Sequence, residues 1–289
     1  MSALIIAGTD GSTGATAAVE WAADDAARTG LPLRIVTAVH RWPNDLSRFV
    51  APDGEDLMTR GARRILDEAE ATARTRHPAI EVSTALIEGL PPVVLRDQGQ
   101  DATEIVIGSR GLGGFAGAVI GSVSMHVAGH AHCPVVVVRP GQVPTHGEIG
   151  EIGEITVGID DSDACEPALA YAFEQAKLRG CTLRAIYAWQ LPVHAYAPEI
   201  AYDMDEIRIA QHAVVADRLA TWQQKYPEVS LIENVRCAHP VEALTKASTG
   251  SDLLVVGSHG RGALGSLLLG SVSRGVLHHA HCAVAVVRS

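Results

Sequence analysis

Gly108, Gly111, Gly121 and Ser122 follow the spacing G-x2-G-x9-G-S, and Gly257, Gly260, Gly270 and Ser271 repeat it 149 positions later. Over the seventeen-residue windows that begin at Gly108 and Gly257, eight positions are identical, among them Ser109 with Ser258, Val123 with Val272 and Ser124 with Ser273. Glycines between a strand and a helix leave backbone N–H groups uncovered, and the helix start adds the positive end of its dipole. Such corners hold anions, phosphate oxygens above all. A hydroxyl at the helix start either caps the helix or donates to the same anion. Glycines also serve tight turns and close helix–sheet packing, but two copies with matched serines favour the anion cradle.

Local charge points the same way. No Asp or Glu occurs from Ile105 to Gly147 or from Leu253 to Ser289, in a chain whose net charge is −10. Arg110 and Arg139 fall in the first gap and Arg261, Arg274 and Arg288 in the second. Three or four charge-assisted hydrogen bonds of about 1.5–3 kcal/mol each sustain binding on the order of micromolar without a lysine. Two lookalikes fail. Gly260, Gly262 and Gly265 spell GxGxxG, but no acid follows Asp252 to hold a ribose. The GxxxxGK[ST] string of a phosphate-binding P-loop is absent.

These corners must be positioned by the rest of the chain, and the whole chain repeats. AGTDGS at 7–12 aligns with VGIDDS at 157–162, LRIVTAV at 33–39 with LRAIYAW at 183–189, and AHCPVVVVR at 131–139 with AHCAVAVVR at 280–288. A segment rich in Pro, Gly and Glu separates the halves. Two domains, 1–140 and 154–289, with a linker at 141–153, follow from the repeat and from a length of 289 residues. Hydrophobic residues at 47% and charged residues at 19% fit a folded, core-forming protein.

Short β-branched runs alternate with helical patterns. Strands are expected near 3–9, 32–39, 80–87, 103–108 and 134–139, with helices near 14–29, 57–76, 90–99 and 121–131. The second half repeats the strands near 154–160, 182–189, 229–236, 252–257 and 283–288. The fold class is α/β: two tandem Rossmann-like, doubly wound domains, each a five-stranded parallel sheet in the order 3-2-1-4-5 with about four helices. That order reverses between strands 1 and 4, and ligands bind in the crevice at the carboxyl ends there. Asp10 with Gly108, and Asp160 with Gly257, meet at the two crevices.

The acidic balance excludes nonspecific attraction to nucleic acid or anionic membrane. No basic segment precedes the short apolar run at the start, and no run is long enough to span a bilayer, so the cytoplasm is the expected compartment. Five cysteines without a CxxC pair read as reduced, buried thiols. His126, His130, His132 and Cys133, with His278, His279, His281 and Cys282, include ligand types, but no spacing matches a zinc motif. Trp42 and Trp189 read as packing near the crevices.

The glycine spacing, the TDGS opening and the AHCPVVVV ending resemble the ATP-binding branch of the universal stress protein family, in its tandem, actinobacterial form. The resemblance spans both halves. It implies ATP as ligand, with or without Mg, and an adenine-nucleotide site in each half. Asp10 and Asp160 would lie against the nucleoside, and Ala38 and Ala188 would offer their backbone to adenine. Gly108, Gly111, Gly121 and Ser122, with Gly257, Gly260, Gly270 and Ser271, would surround ribose and phosphates. Ser109 and Ser258 lie in the same loops, and Val123 and Val272 in the first helical turns. The resemblance also implies pairing through the final strands, between the two halves or in a homodimer. A regulator without strong catalysis is expected, with a slow ATP hydrolase and a nucleotide-independent scaffold as alternatives. Gly11 becomes Asp161 in the second half, which implies unequal occupancy of the two sites.

Overall fold

A computed structural model describes residues 3–40, 56–113, 119–141, 153–190, 203–260 and 269–288. Trp42, Arg261, Gly262, Gly265 and most of the expected linker lie outside the described residues. The chain divides into two compact units, Met1–Val143 with Ala283–Arg288, and Pro144–Cys282.

The first unit runs β1 (Ile5–Gly8), α1 (Thr13–Thr29), β2 (Leu33–Val39), α2 (Leu57–Arg76), β3 (Val82–Glu88), α3 (Pro91–Gln98), β4 (Glu104–Gly108), α4 (Ser122–His130) and β5 (Val135–Val138). Its strands lie in the order β3-β2-β1-β4-β5, and their pairings are parallel. Ile5, Ile6 and Ala7 of β1 and Ile105, Val106 and Ile107 of β4 are buried, as expected of central strands covered on both faces. Helix α1 starts where Ser12 Oγ accepts the Ala15 amide at 3.2 Å, and ends at Gly30, whose φ of 71° suits glycine alone. Ala62, Leu66, Ala69 and Ala73 form the apolar stripe of α2.

The second unit contains β6 (Glu154–Ile159), α5 (Glu166–Arg179), β7 (Thr182–Trp189), α6 (Met204–Lys225), β8 (Leu231–Cys237), α7 (Pro240–Ala247), β9 (Leu253–Gly257) and α8 (Ser271–His279). Its parallel strands follow the order β9-β6-β7-β8. The last strand, β10 (Ala283–Val287), groups with the first unit, where it runs antiparallel to β5 with Ala285 opposite Val136. The repeat makes it the fifth strand of the second half; its pairing closes the β5 edge within one chain. The reason is physical: β5 is a wholly buried run of four valines, and an open edge of that kind invites another strand.

Candidate functional site

Above the carboxyl ends of β6 and β9 the second unit holds a cavity of about 620 Å³. Asp160, Ala188, Gly257, Gly260, Gly270, Ser271 and Val272, all expected from the sequence, line it. Ile186, Leu244, Val256 and Leu269 supply an apolar wall. The ladder between β6 and β7 ends at Tyr187, whereas that between β7 and β8 continues to Trp189, so β7 outruns β6 at Ala188. The backbone edge of Ala188 on the β6 side is thereby left beyond the ladder. Ala38 has the same standing in the first unit, because β2 pairs with β1 only as far as Val36 and with β3 as far as Val39.

The glycines divide by task. A Cβ on Gly260 would come within 2.5 Å of Asp160 Oδ2, and one on Gly111 would collide with Asp10 Oδ2. Those two positions are glycine so that the loop can close over a carboxylate. At Gly108 a Cβ would lie 2.5 Å from the Gly14 carbonyl carbon and 2.9 Å from the Ala15 amide nitrogen, so this glycine admits the start of α1 against β4. Packing explains Gly108 without a ligand. Gly121 and Gly270 are different: the nearest atoms to an added Cβ are Ser109 O at 3.5 Å and Ser258 O at 3.3 Å, and their φ values are −81° and −59°. Little within the protein demands glycine at Gly121. Both residues are N-caps without a side-chain hydrogen bond, so the first-turn amides of α4 and α8 await solvent or an anion.

Ser109 and Ser258 are only 2% exposed each, and Ser258 does not line the cavity. Their carbonyls accept the amides of Gly121 and Gly270 at 2.7 and 2.8 Å. Ser109 and Ser258 thus lie in the loops as expected, and they latch them from beneath. Ser124 and Ser273, which sequence reasoning passed over although both copies carry them, donate to Gly108 O and Gly257 O at 2.7 and 2.6 Å and tie each helix to its strand end. Ser122 and Ser271 open the helices and are exposed.

Asp10 does not cap α1, since Ser12 does that. Its Oδ1 accepts the Ser12 amide at 3.0 Å and its Oδ2 the Leu112 amide at 2.8 Å, so it staples the strand end to the glycine loop. Asp160 Oδ1 accepts both the amide and the hydroxyl of Ser162, at 3.0 and 2.6 Å. The second corner is built differently. Gly11 has a φ of 81°, whereas no non-glycine residue described has positive φ, so Asp161 takes another path. A short 3-10 turn, Asp163–Cys165, precedes α5. Arg218 of α6 clamps it, donating to Ser162 O at 2.6 Å and Asp161 O at 3.2 Å and approaching Cys165 Sγ at 3.0 Å. Cys165 lines the cavity; burial pushes its thiol up, against the pull of Arg218.

A family model described as the universal stress protein family matches residues 1–139 and 151–288. Universal stress protein Rv2005c of Mycobacterium tuberculosis is 33% identical over 297 residues, which cover 98% of this chain and 96% of that one. The chain belongs to the universal stress protein family. A universal stress protein from Archaeoglobus fulgidus shares the fold at a TM-score of 0.72 and 20% identity, over 99% of this chain and 98% of its own. A further solved universal stress protein, in complex with cAMP, is 28% identical over 48% of this chain and 98% of its own, at a TM-score of 0.39.

Among the features of this universal stress protein that lie outside the site, His126 and His130 stack at 4.2 Å, and His130 Nδ1 bonds the His126 carbonyl one turn away at 2.8 Å. Trp189 is buried and lines the second cavity. The apolar wall from α7 and the residue His259 were not read from the sequence; α7 carries no local signal of its placement, but His259 stands in the repeated glycine pattern where the first copy has Arg110. No helix among the described residues is long and apolar enough to cross a membrane.

Proposed function

We propose that this universal stress protein binds ATP at the glycine corners and acts as a nucleotide-dependent stress regulator without strong catalysis. The observation that carries this reading is the second-unit cavity, where a half-open strand edge at Ala188, an apolar wall and an uncapped helix start at Gly270 face one space. Its volume of about 620 Å³ falls within the range of small-molecule sites, about 300–1,000 Å³. The apolar wall suits a flat adenine, the Ala188 backbone its polar edge, and the amides of Ser271 and Val272 the phosphates. Where Gly260 and Gly270 lack a side chain, the phosphate tail can approach the backbone. Gly111, Gly121, Ser122 and Val123 are assigned the same work in the first unit. Any Mg enters with the nucleotide.

The expectation of weak catalysis is supported by the described lining, where the carboxylate of Asp160 already accepts two hydrogen bonds from Ser162. Because β10 occupies the β5 edge, a homodimer would form through other surfaces. The deciding experiment is to denature the purified protein and identify released nucleotide by mass and stoichiometry, followed by single-turnover assays. Adenine nucleotide with negligible hydrolysis is expected. A protein free of nucleotide and unable to bind millimolar ATP would favour the scaffold, and robust turnover lost in Gly111→Ala would favour the hydrolase.

A further inference from the structure

The two units open their first helix in different ways. In the first, Gly11 at a φ of 81° lets the Ser12 hydroxyl reach the Ala15 amide and cap α1. In the second, Asp161 has no positive φ, the Ser162 hydroxyl is engaged by Asp160 Oδ1, and α5 begins after the turn Asp163–Cys165 without a side-chain cap. Two successive carbonyls at this corner are met from outside by one guanidinium. Arg218 Nη2 donates to Asp161 O at 3.2 Å and Nη1 to Ser162 O at 2.6 Å. A planar fork suits such a pair of acceptors, and a single ammonium does not.

Arg218 is itself held in place. Glu166 Oε1 accepts from it at 3.3 Å, and Glu166 Oε2 accepts the Trp222 indole N–H at 2.9 Å. The Trp222 ring stacks 5.7 Å from Phe173, a wholly buried residue of α5. Arg218, Trp222 and Glu166 do not recur in the first copy. Helices α2 and α6 each end two residues before a matched proline, Pro78 and Pro227. In that alignment Ala69 stands where Arg218 does and Ala73 where Trp222 does, and Thr16 takes the place of Glu166. Helix α2 covers its corner with Ile65, whose side chain lies 3.1 Å from a Cβ placed on Gly11. An apolar cover at the first corner is thus a charged clamp at the second.

The clamp reaches the cavity through Ser162. Arg218 does not line the cavity, but Asp160 and Cys165, at the two ends of the clamped turn, do. Ser162, whose carbonyl Arg218 holds, donates its amide and its hydroxyl to Asp160 Oδ1 at 3.0 and 2.6 Å. Asp160 Oδ2 in turn lies 2.5 Å from where a Cβ on Gly260 would stand. A guanidinium on α6 thereby fixes the carboxylate over which the glycine loop closes. Groups fixed before a ligand arrives need less ordering when it binds.

We propose that Arg218 is a positioning residue of the second nucleotide site: it touches no ligand and sets the second-site affinity by holding the turn 160–165 in its binding form. The inference rests on the nucleotide reading above and separates its two sites, because the side chain of Ala69 has no donor to offer the first.

The test is calorimetric titration of ATP into the full chain, with the second site identified as the one removed by Gly270→Asp, which sets a carboxylate at the phosphate corner. Arg218→Gln is expected to weaken ATP about ten-fold at the second site, the scale of one hydrogen bond to a charged group, and to leave the first within about two-fold. Arg218→Lys keeps the charge and loses the fork, so its second site should lie about three-fold below wild type. A merely structural arginine would lower the urea midpoint of unfolding without splitting the two affinities. Cys165 supplies a local readout: its labelling by a thiol reagent should quicken in Arg218→Gln while Cys133, Cys181 and Cys282, buried elsewhere, stay protected. If Arg218→Gln does not fold, Arg218→Lys carries the comparison together with Glu166→Gln, which weakens the anchor of the guanidinium and should act in the same direction. An unchanged second site, an equal fall at both sites, or unchanged Cys165 labelling would overturn the proposal and leave nucleotide binding standing. A wild type that binds no ATP, or whose binding Gly270→Asp leaves untouched, would overturn the nucleotide reading and the proposal with it.

Discussion

Asp10 and Leu112 stand 102 positions apart in the sequence and are joined by one hydrogen bond, the Leu112 amide donating to Asp10 Oδ2 at 2.8 Å. The carboxylate thereby holds the glycine loop after β4 over the end of β1, and the Ser12 hydroxyl reinforces it by donating to Arg110 O at 3.3 Å. In the second unit Asp160 Oδ1 likewise accepts the amide two residues on, that of Ser162, and takes the Ser162 hydroxyl as well. The turns that follow the two acids differ: Gly11 reaches a positive φ and Asp161 does not.

Gly111→Ala places a methyl group against Asp10 Oδ2. The loop is exposed and can shift, so the fold should survive, while the Asp10 to Leu112 bond is lost and the phosphate corner opens. ATP affinity at the first site should fall about ten-fold, the value of one hydrogen bond to a charged group. Calorimetry that resolves the two sites checks this, with far-UV circular dichroism as the control; an unchanged first site would show that the staple does not shape the binding corner.

Gly108→Ala tests the packing role. The added methyl would meet backbone atoms of Gly14 and Ala15 at 2.5–2.9 Å, and backbone yields less readily than a side chain. Overpacking of this kind costs about 1–3 kcal/mol. Gly257→Ala meets only His259 O at 3.1 Å and Ala164 O at 3.5 Å and should cost less. Urea unfolding of the two variants gives the comparison, and equal losses would contradict the assignment.

Much of this was legible in the chain. Helix α1 was expected at 14–29 and spans Thr13–Thr29, because a serine cap and a terminal glycine mark its ends locally. Central strands such as Ile5–Gly8 declare themselves as buried apolar runs. What the residues hid is of longer range. Both copies keep Ser109 and Ser258, but identity between the copies follows from burial as readily as from contact with a ligand, and the two causes leave the same trace. The placement of β10 on β5 depends on which valine edge is open, a property of the assembled sheet rather than of Ala283–Val287. Leu244 reaches the cavity only because α7 follows β8 and returns beside β6, which no pattern within α7 encodes.

Asp24 gives the fold a pH dependence. Burial raises its carboxyl, but hydrogen bonds from Arg76 and His77 outweigh that and hold it below the ordinary carboxylate range. Arg76 Nε and Nη2 meet the two carboxylate oxygens at 2.6 and 2.8 Å, and His77 Nε2 lies 2.7 Å from Oδ1, so the group joins α1 to the end of α2. A depressed folded-state pKa means that its stabilisation is complete above the unfolded carboxyl value, about 3.9, and is lost as pH falls through the lower folded value. Asp24→Asn should cost about 1–2 kcal/mol at pH 7. That deficit should shrink towards zero as wild type and variant are compared at progressively lower pH by denaturant titration; a deficit constant with pH would assign the effect to packing.

Cysteine reactivity should sort by burial. Cys133, Cys165, Cys181 and Cys282 are buried, while Cys237 at the end of β8 is exposed. Thiolates are the reactive form, and burial pushes the Cys133 thiol up to about 12, so almost none of it is ionised near neutrality. Cys165 is raised as well, burial outweighing the nearby Arg218 guanidinium. A thiol reagent at pH 8 should therefore titrate one cysteine rapidly in the native protein, disappear as a rapid phase in Cys237→Ser, and reach all five on denaturation. Because Cys165 lines the cavity proposed to take the nucleotide, any slow second phase that ATP suppresses would report opening of that site. Rapid labelling of Cys133 in the native state would show that the contact of α4 with β5 is far looser than the structure describes.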